Sequence, residues 1–217
     1  MMEAPKDAGL SEFEGAIVFI VDDNSAVCDA IGWLVEEVGL QAKTFTSAQE
    51  FLAFYRPEMR GCLVLDVRMP EMSGLDLQEK LIEARCRIPV IFITGHGDIP
   101  VTVRAMKAGA FDFLQKPFSD QVLLDDVFAA IQRDLRLCSQ DKRRATAEHA
   151  LSVLTRRERD ILGLLREGKS SKVIAADLDI SVRTVEGHRA QIKRKMKVHN
   201  VGQLVEFVQR AEAEGER

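Results

Sequence analysis

Short apolar runs and amphipathic stretches alternate through the first two thirds of the chain. Ala16–Val21 is an apolar run closed by Asp22 and Asp23. From 25 to 38 the apolar positions Val27, Ile31, Leu34, Val35 and Val38 fall on one helical face, and Gly39 supplies a stop. Gln41–Phe45 is a short strand. Ser47 and Glu50 make a capping box that opens a helix through Tyr55. Residues 62–65 are an uninterrupted apolar run, which suits a strand buried on both faces, and Asp66 follows at its carboxyl end. Ser73 opens a helix carrying Leu75, Leu77, Leu81 and Ile82. Residues 89–93 form another buried strand ending on Thr94, residues 99–108 a helix stopped by Gly109, and residues 111–115 a fifth strand ending on Lys116 and Pro117. A last helix runs from Ser119 to about Leu137. Alternating strands and helices predict an α/β fold, a doubly wound five-stranded parallel sheet with helices on both faces, over residues 15–137.

The pattern then changes. Residues 138–151 are polar, without Gly or Pro, and suit a junction that is part helical. From 152 to 217 only helices are indicated, so this region is an all-α domain. Thr155 and Glu158 form a capping box, and the helix they open carries Ile161, Leu162, Leu164 and Leu165 up to Gly168. Ser170 or Ser171 caps a short helix with Ile174, Ala175 and Leu178. A tight turn at Asp179 and Ile180 leads to Ser181, which caps a longer helix through about Val198. Asn200 caps a final amphipathic helix with Leu204, Val205 and Val208. Two short helices, a tight turn and a basic helix are a helix-turn-helix arrangement, whose second element lies in the major groove of DNA.

Charge sharpens the division. The net charge of the 217 residues is −4, but residues 152–217 carry a net +4 and the rest a net −8. Residues 181–197 hold six basic side chains and one acid, Glu186. A locally basic second domain faces a polyanion. On its helix from Val182, the residues Val185, Ile192 and Met196 make the inward stripe. Lys172, Arg183, Thr184, His188, Arg189 and Lys193 are then candidates for phosphates and base edges. No apolar run reaches the ~20 residues that span a bilayer, so no membrane partner is expected. Cys28, Cys62, Cys86 and Cys138 lack metal spacing and suit free thiols in a reducing cytoplasm.

In a parallel sheet every strand points the same way, so Asp22 and Asp23, Asp66, Thr94 and Lys116 converge on one rim. Crowded carboxylates raise one another's pKa unless a cation sits among them, and oxygen ligands with room for water suit Mg2+. The fitting chemistry is phosphoryl transfer onto a carboxylate. Asp66 is the nucleophile, Lys116 and Mg2+ at Asp22, Asp23 and Asp66 offset charge, and the Thr94 hydroxyl binds the phosphoryl group.

These motifs carry a resemblance. Val21-Asp22-Asp23, the run Leu65-Asp66-Val67-Arg68-Met69-Pro70, Ser73-Gly74, Ile93-Thr94-Gly95-His96-Gly97, Met106-Lys107-Ala108-Gly109-Ala110 and Lys116-Pro117-Phe118 resemble the receiver domain of two-component response regulators, in its FixJ-type branch. Leu154 to Glu158, Gly168, Lys172 to Ala175, Leu178, Ile180-Ser181, Thr184-Val185, His188 and Lys195-Met196 resemble the LuxR-type helix-turn-helix. The resemblance implies that Asp66 accepts phosphate from a sensor histidine kinase and that the backbone carbonyl of Arg68 joins the Mg2+ ligands. It implies a cis peptide at Lys116–Pro117 and a switch formed by Thr94 and Phe113, with His96 an exposed loop residue nearby. It further implies base contacts from the positions of Glu186, Gly187 and Ala190. The implied partners are promoter DNA, a second copy of the chain on phosphorylation, and RNA polymerase. Two rivals stand beside this reading: a Mg-dependent phosphohydrolase with an aspartyl-phosphate intermediate, disfavoured because Arg68 stands where such enzymes carry a second Asp, and a DNA-binding regulator indifferent to phosphorylation.

Overall fold

A computed structural model describes residues 13–95 and 99–196. The chain divides into two compact units, Met1–Leu137 and Cys138–Arg217. His96 and the helix expected after Asn200 lie outside the described residues.

In the first unit the strands are β1 (Ala16–Val21), β2 (Gln41–Phe45), β3 (Arg60–Asp66), β4 (Val90–Thr94) and β5 (Asp112–Gln115). They pair in parallel in the order β2-β1-β3-β4-β5. The helices between and after them are α1 (Ser25–Glu37), α2 (Ala48–Phe54), α3 (Gly74–Glu83), α4 (Ile99–Lys107) and α5, which begins at Asp120. Alternation along each buried strand sends odd and even residues to opposite faces. Phe19, Leu63, Leu65 and Phe92 face a core shared with Phe51 of α2, Leu77 of α3 and Ala105 of α4. Val18, Ile20, Val64 and Ile91 face a second core with Ile31 of α1 and Val127 and Ile131 of α5. The predicted helix ends hold where the backbone requires them: Gly39 and Gly109 both take a positive φ.

Two features were not readable from the pattern. Gly61 has φ 140°, and a Cβ there would lie 1.8 Å from the Ile17 carbonyl oxygen, because β1 and β3 come together at this point. Its N–H donates to the buried carboxylate of Asp134, a residue 73 positions away on α5. The second feature is the length of α5. The sequence places the end of one helix near Leu137 and a part-helical junction over 138–151, and α5 is a single unbroken helix to Ser152. No Gly or Pro interrupts residues 120–152, and Ala145, Ala147 and Ala150 favour helix.

The second unit contains α6 (Arg156–Arg166), α7 (Ser171–Asp177) and α8 (Val182–Met196). Its core joins Leu154, Ile161, Leu162, Leu165, Ile174, Val185, Ile192 and Met196. Thr155 and Glu158 form the expected capping box. Glu158 is itself buried and also accepts from Lys195 Nζ at 2.6 Å, which fastens the end of α8 to the start of α6. Ser170, not Ser171, caps α7. The turn into α8 is closed by Asp179 at φ 52°.

A pair of glycine substitutions tests this framework. Gly61→Ala should lower the stability of the full chain by about 3 kcal/mol, since strain and a backbone clash combine there. In α6 a Cβ at Gly163 meets nothing within 4 Å. Gly163→Ala should therefore stabilise by up to about 1 kcal/mol. Urea unfolding followed by circular dichroism measures both, and a neutral Gly61→Ala would contradict the close approach of β1 and β3.

Candidate functional site

In a sheet of order 2-1-3-4-5 the connections leave in opposite directions on either side of the β1/β3 pair. The crevice at the carboxyl ends of those strands is the ligand-binding edge. Val21 and Leu65 are register partners, so the residues that follow them, Asp22 and Asp66, stand side by side at that edge. Both are buried, at 1% and 6% relative exposure, with polar chemistry and no apolar role. Lys116 arrives from the end of β5. Its ammonium Nζ donates to Asp22 Oδ2 at 2.6 Å and to Asp66 Oδ1 at 2.8 Å. One cation therefore bridges the two carboxylates. The Lys116–Pro117 peptide that follows is cis.

The remaining oxygens are also held. Asp22 Oδ1 accepts from the Asn24 N–H at 2.9 Å, and Asp66 Oδ2 accepts from the Arg68 N–H at 2.6 Å. Gly74 lets the start of α3 come close to this loop, because a Cβ there would lie 2.2 Å from the Asp66 carbonyl oxygen. Its N–H donates to the Val67 carbonyl at 3.0 Å. The loop after β3 is thus fixed from both sides, and Asp66 is aimed rather than loose.

Burial pushes the Asp66 carboxyl above its ordinary range. The hydrogen bond and charge of Lys116 and the Arg68 N–H pull it back, while the charge of Asp22 adds to the rise. For Lys116 burial favours the neutral amine, but the bonds to Asp22 and Asp66 win and its pKa lies above the ordinary value. The site holds two anions and one cation, so it carries a net negative charge that a further cation would offset.

Thr94 is buried at the end of β4, and its carbonyl accepts from the Lys116 N–H at 2.7 Å. Phe113 on β5 is half-buried, its ring 6.1 Å from that of Phe92. Asp23 follows Asp22 but is exposed, and among the described residues it makes no hydrogen bond to the cluster. The structure therefore brings together Asp22, Asp66 and Lys116. It does not gather three carboxylates: among the described residues no group of three or more His, Cys, Asp or Glu is placed to hold a metal. The donor set that is present still suits Mg2+ chemically. Two buried carboxylate oxygens already reach one cation, with Asp23 beside them.

On the second unit, Lys172, Arg183 and Thr184 are exposed, and His188 and Lys193 are half-buried. The Ser181 hydroxyl accepts from the Thr184 N–H at 3.1 Å, which is the expected helix cap. The inward stripe of Val185, Ile192 and Met196 is observed. Arg189 donates to Ser171 Oγ and, at 3.1 Å, to Glu186 Oε1, and Ser171 Oγ in turn bonds Glu186 Oε1. Asp134, Asn24 and Ser171 are the residues that sequence reasoning missed. Each acts through a partner that only the folded chain brings near, apart from Asn24, whose position after two aspartates and before α1 marks it as a helix cap.

The fold and the rim define a class, receiver domains with an effector domain of helix-turn-helix type. The chain matches the response regulator receiver domain over residues 18–128 and the luxR family of bacterial regulatory proteins over residues 152–208. It belongs to the response-regulator family, as a phosphorylation-controlled transcriptional regulator with a LuxR-type DNA-binding domain. It is 46% identical over 199 residues to the response regulator protein TmoT of Ectopseudomonas mendocina, covering 90% of this chain and 89% of that one. It is 43% identical over 189 residues to the transcriptional regulatory protein FixJ of Rhizobium meliloti, covering 87% and 92%. Among solved structures, the response regulator StyR matches with a TM-score of 0.82 at 44% identity, covering 90% of this chain and 98% of that one. Among the described residues no helix is long and apolar enough to cross a membrane, and none of the four cysteines forms a disulfide.

Removing the bridging ammonium should expose the cost of the carboxylate pair. In Lys116→Met, Asp22 and Asp66 face each other with no cation, so the Asp66 pKa rises further. A carboxyl whose folded pKa lies above its unfolded value loses stability as pH rises from that unfolded value through the folded one. The deficit should be smaller near pH 4 than near pH 7, where it should reach about 3 kcal/mol. Urea unfolding at the two pH values reads this directly, and an equal deficit at both would exclude the bridge as its source.

Proposed function

We propose that Asp66 is the phosphoacceptor and that its phosphorylation raises the affinity of α8 for DNA. The observation that carries this reading is the Lys116 ammonium in contact with both Asp22 and Asp66 on one rim. A carboxylate oxygen of Asp66 attacks the phosphorus of a phosphohistidine on a sensor kinase. The new P–O bond forms as the P–N bond breaks, and the imidazole nitrogen keeps the electron pair. Lys116 stabilises charge on the transferring oxygens, and the Thr94 hydroxyl donates to the phosphoryl group once it is attached. Receiver domains of this kind generally bind Mg2+. Here Asp22, Asp23 and Asp66 with the Arg68 carbonyl would hold it, and it would offset negative charge on the phosphoryl oxygens.

The switch follows from the same geometry. An attached phosphoryl group competes for Lys116 and draws on the Thr94 hydroxyl, and Phe113 sits on the neighbouring strand where a shift of Thr94 is felt. The phosphorylated chain then pairs with a second copy and places two α8 helices on a two-fold promoter site, where RNA polymerase is a further partner. Arg183, Lys172 and Lys193 serve phosphates, with Thr184 and His188 beside them.

Incubation with acetyl phosphate and Mg2+ tests this. Intact-mass measurement should show the gain of one phosphoryl group, absent when a chelator is present from the start and absent in Asp66→Asn. Affinity for a promoter fragment should rise by about 10-fold or more on phosphorylation, within the usual range of coupling between sites. Uptake persisting in Asp66→Asn, or affinity indifferent to phosphorylation, would overturn the reading.

A further inference from the structure

The Asp66 rim occupies one end of the sheet, and a second concavity lies at the other. It reaches Val90, the first residue of β4, whereas Thr94 at the rim is the last. The carboxyl-terminal ends of α3 and α4 and a face of α5 close around it. Its volume is about 320 Å³, at the lower end of the range for small-ligand sites.

The floor is apolar, formed by the buried side chains of Leu81, Ile88 and Val90. The wall holds one buried polar group. Gln78 is 3% exposed, and its Nε2 donates to the Ala105 carbonyl of α4 at 3.3 Å. That bond sets the spacing of the two helices that wall the cavity.

Charge decides what fits. Arg87 and Arg133 line the cavity and are exposed, and among the described residues no Asp or Glu lines it. The surrounding sequence has the opposite sign, since residues 1–151 carry a net −8. The nearby helix ends do not call for these cations. The carbonyls of Leu81 and Ile82 accept from the N–H groups of Cys86 and Arg85, and those of Ala105 and Met106 accept from Ala110 and Gly109. Arg133 also rests over the Phe111 ring, 5.9 Å from its centroid, a contact that fixes its position without neutralising its charge.

We propose that this cavity binds a small monocarboxylate with a compact apolar tail, the tail lying on Leu81, Ile88 and Val90 and the carboxylate held by Arg133 and Arg87. Such a ligand matches both parts of the site. Its apolar surface leaves water on the floor, and a guanidinium pairs with a carboxylate through two N–H donors. A neutral ligand would leave the arginines unanswered, and a small anion without a tail would leave the floor wet. The cavity shares no residue with Asp22, Asp66, Thr94 and Lys116, so the proposal stands whether or not Asp66 is the phosphoacceptor.

The test is titration of the full-length, unphosphorylated protein with benzoate and with hexanoate, followed by amide NMR. Shifts should gather at Cys86, Gly109 and Arg133, with a Kd of about 1 mM or tighter. Benzamide and hexanamide keep the tail and lose the charge, and should bind at least about 10-fold more weakly. Arg133→Gln and Arg87→Gln alter exposed side chains, and each should weaken benzoate binding by about 5-fold or more. Ala108 lines the cavity from the end of α4, so Ala108→Phe should fill it and abolish binding. If circular dichroism shows that Ala108→Phe does not fold, the two arginine variants decide the matter. Affinity unchanged in both arginine variants, equal affinity for benzamide, shifts confined to the basic α8, or no shift at about 10 mM probe would each overturn the proposal.

Discussion

Everything at the functional rim depends on one constraint: two buried carboxylates must share a cation. Asp22 and Asp66 are brought together by the register of β1 and β3, not by any affinity for each other. Left alone they would repel in a poorly solvated site, and Asp66 is already pushed upward by its burial. Lys116 resolves this by touching both. The bridge is more than a stabilising contact. It ties the end of β5 to the ends of β1 and β3, so a change in charge at Asp66 pulls on the strand that carries Phe113. A rim whose electrostatics are balanced by one movable side chain is well suited to sensing an added dianion.

The rest of the first unit serves to keep that rim in place. The β1/β3 contact is tight enough to need Gly61, and Asp134 fastens the Gly61 N–H from α5. At the other end Gly74 allows α3 to close on the loop after Asp66. A site made of aimed carboxylates needs such fixed surroundings, because a shift of a fraction of an ångström would break the bridge.

Much of this was legible in the chain. Apolar runs ended by Asp22, Asp66, Thr94 and Lys116 declare both the strands and the edge they share, and Gly39, Gly109 and Gly168 mark helix ends because each takes a positive φ. What could not be read depends on distance across the fold. The link of Gly61 to Asp134 joins residues far apart in sequence, and the grip of Lys195 on Glu158 does the same in the second unit. Glu186 and Arg189 are spaced as a helical pair, but the third member, Ser171, lies on another helix. Spacing alone marks Arg189 as a candidate for phosphates and does not show that it also holds the Glu186 carboxylate. The continuation of α5 beyond Leu137 is a different case: the absence of breakers permits a helix, but permission does not fix its length.

The most direct test of the shared-cation account is carboxyl-carbon NMR of Asp22 and Asp66 during titration with Mg2+ and, separately, with pH. The two Cγ resonances should move together as Mg2+ is added, and the raised pKa of Asp66 should fall when the ion is present. Resonances that stay put at millimolar Mg2+, or an Asp66 that titrates without any response from Asp22, would contradict it.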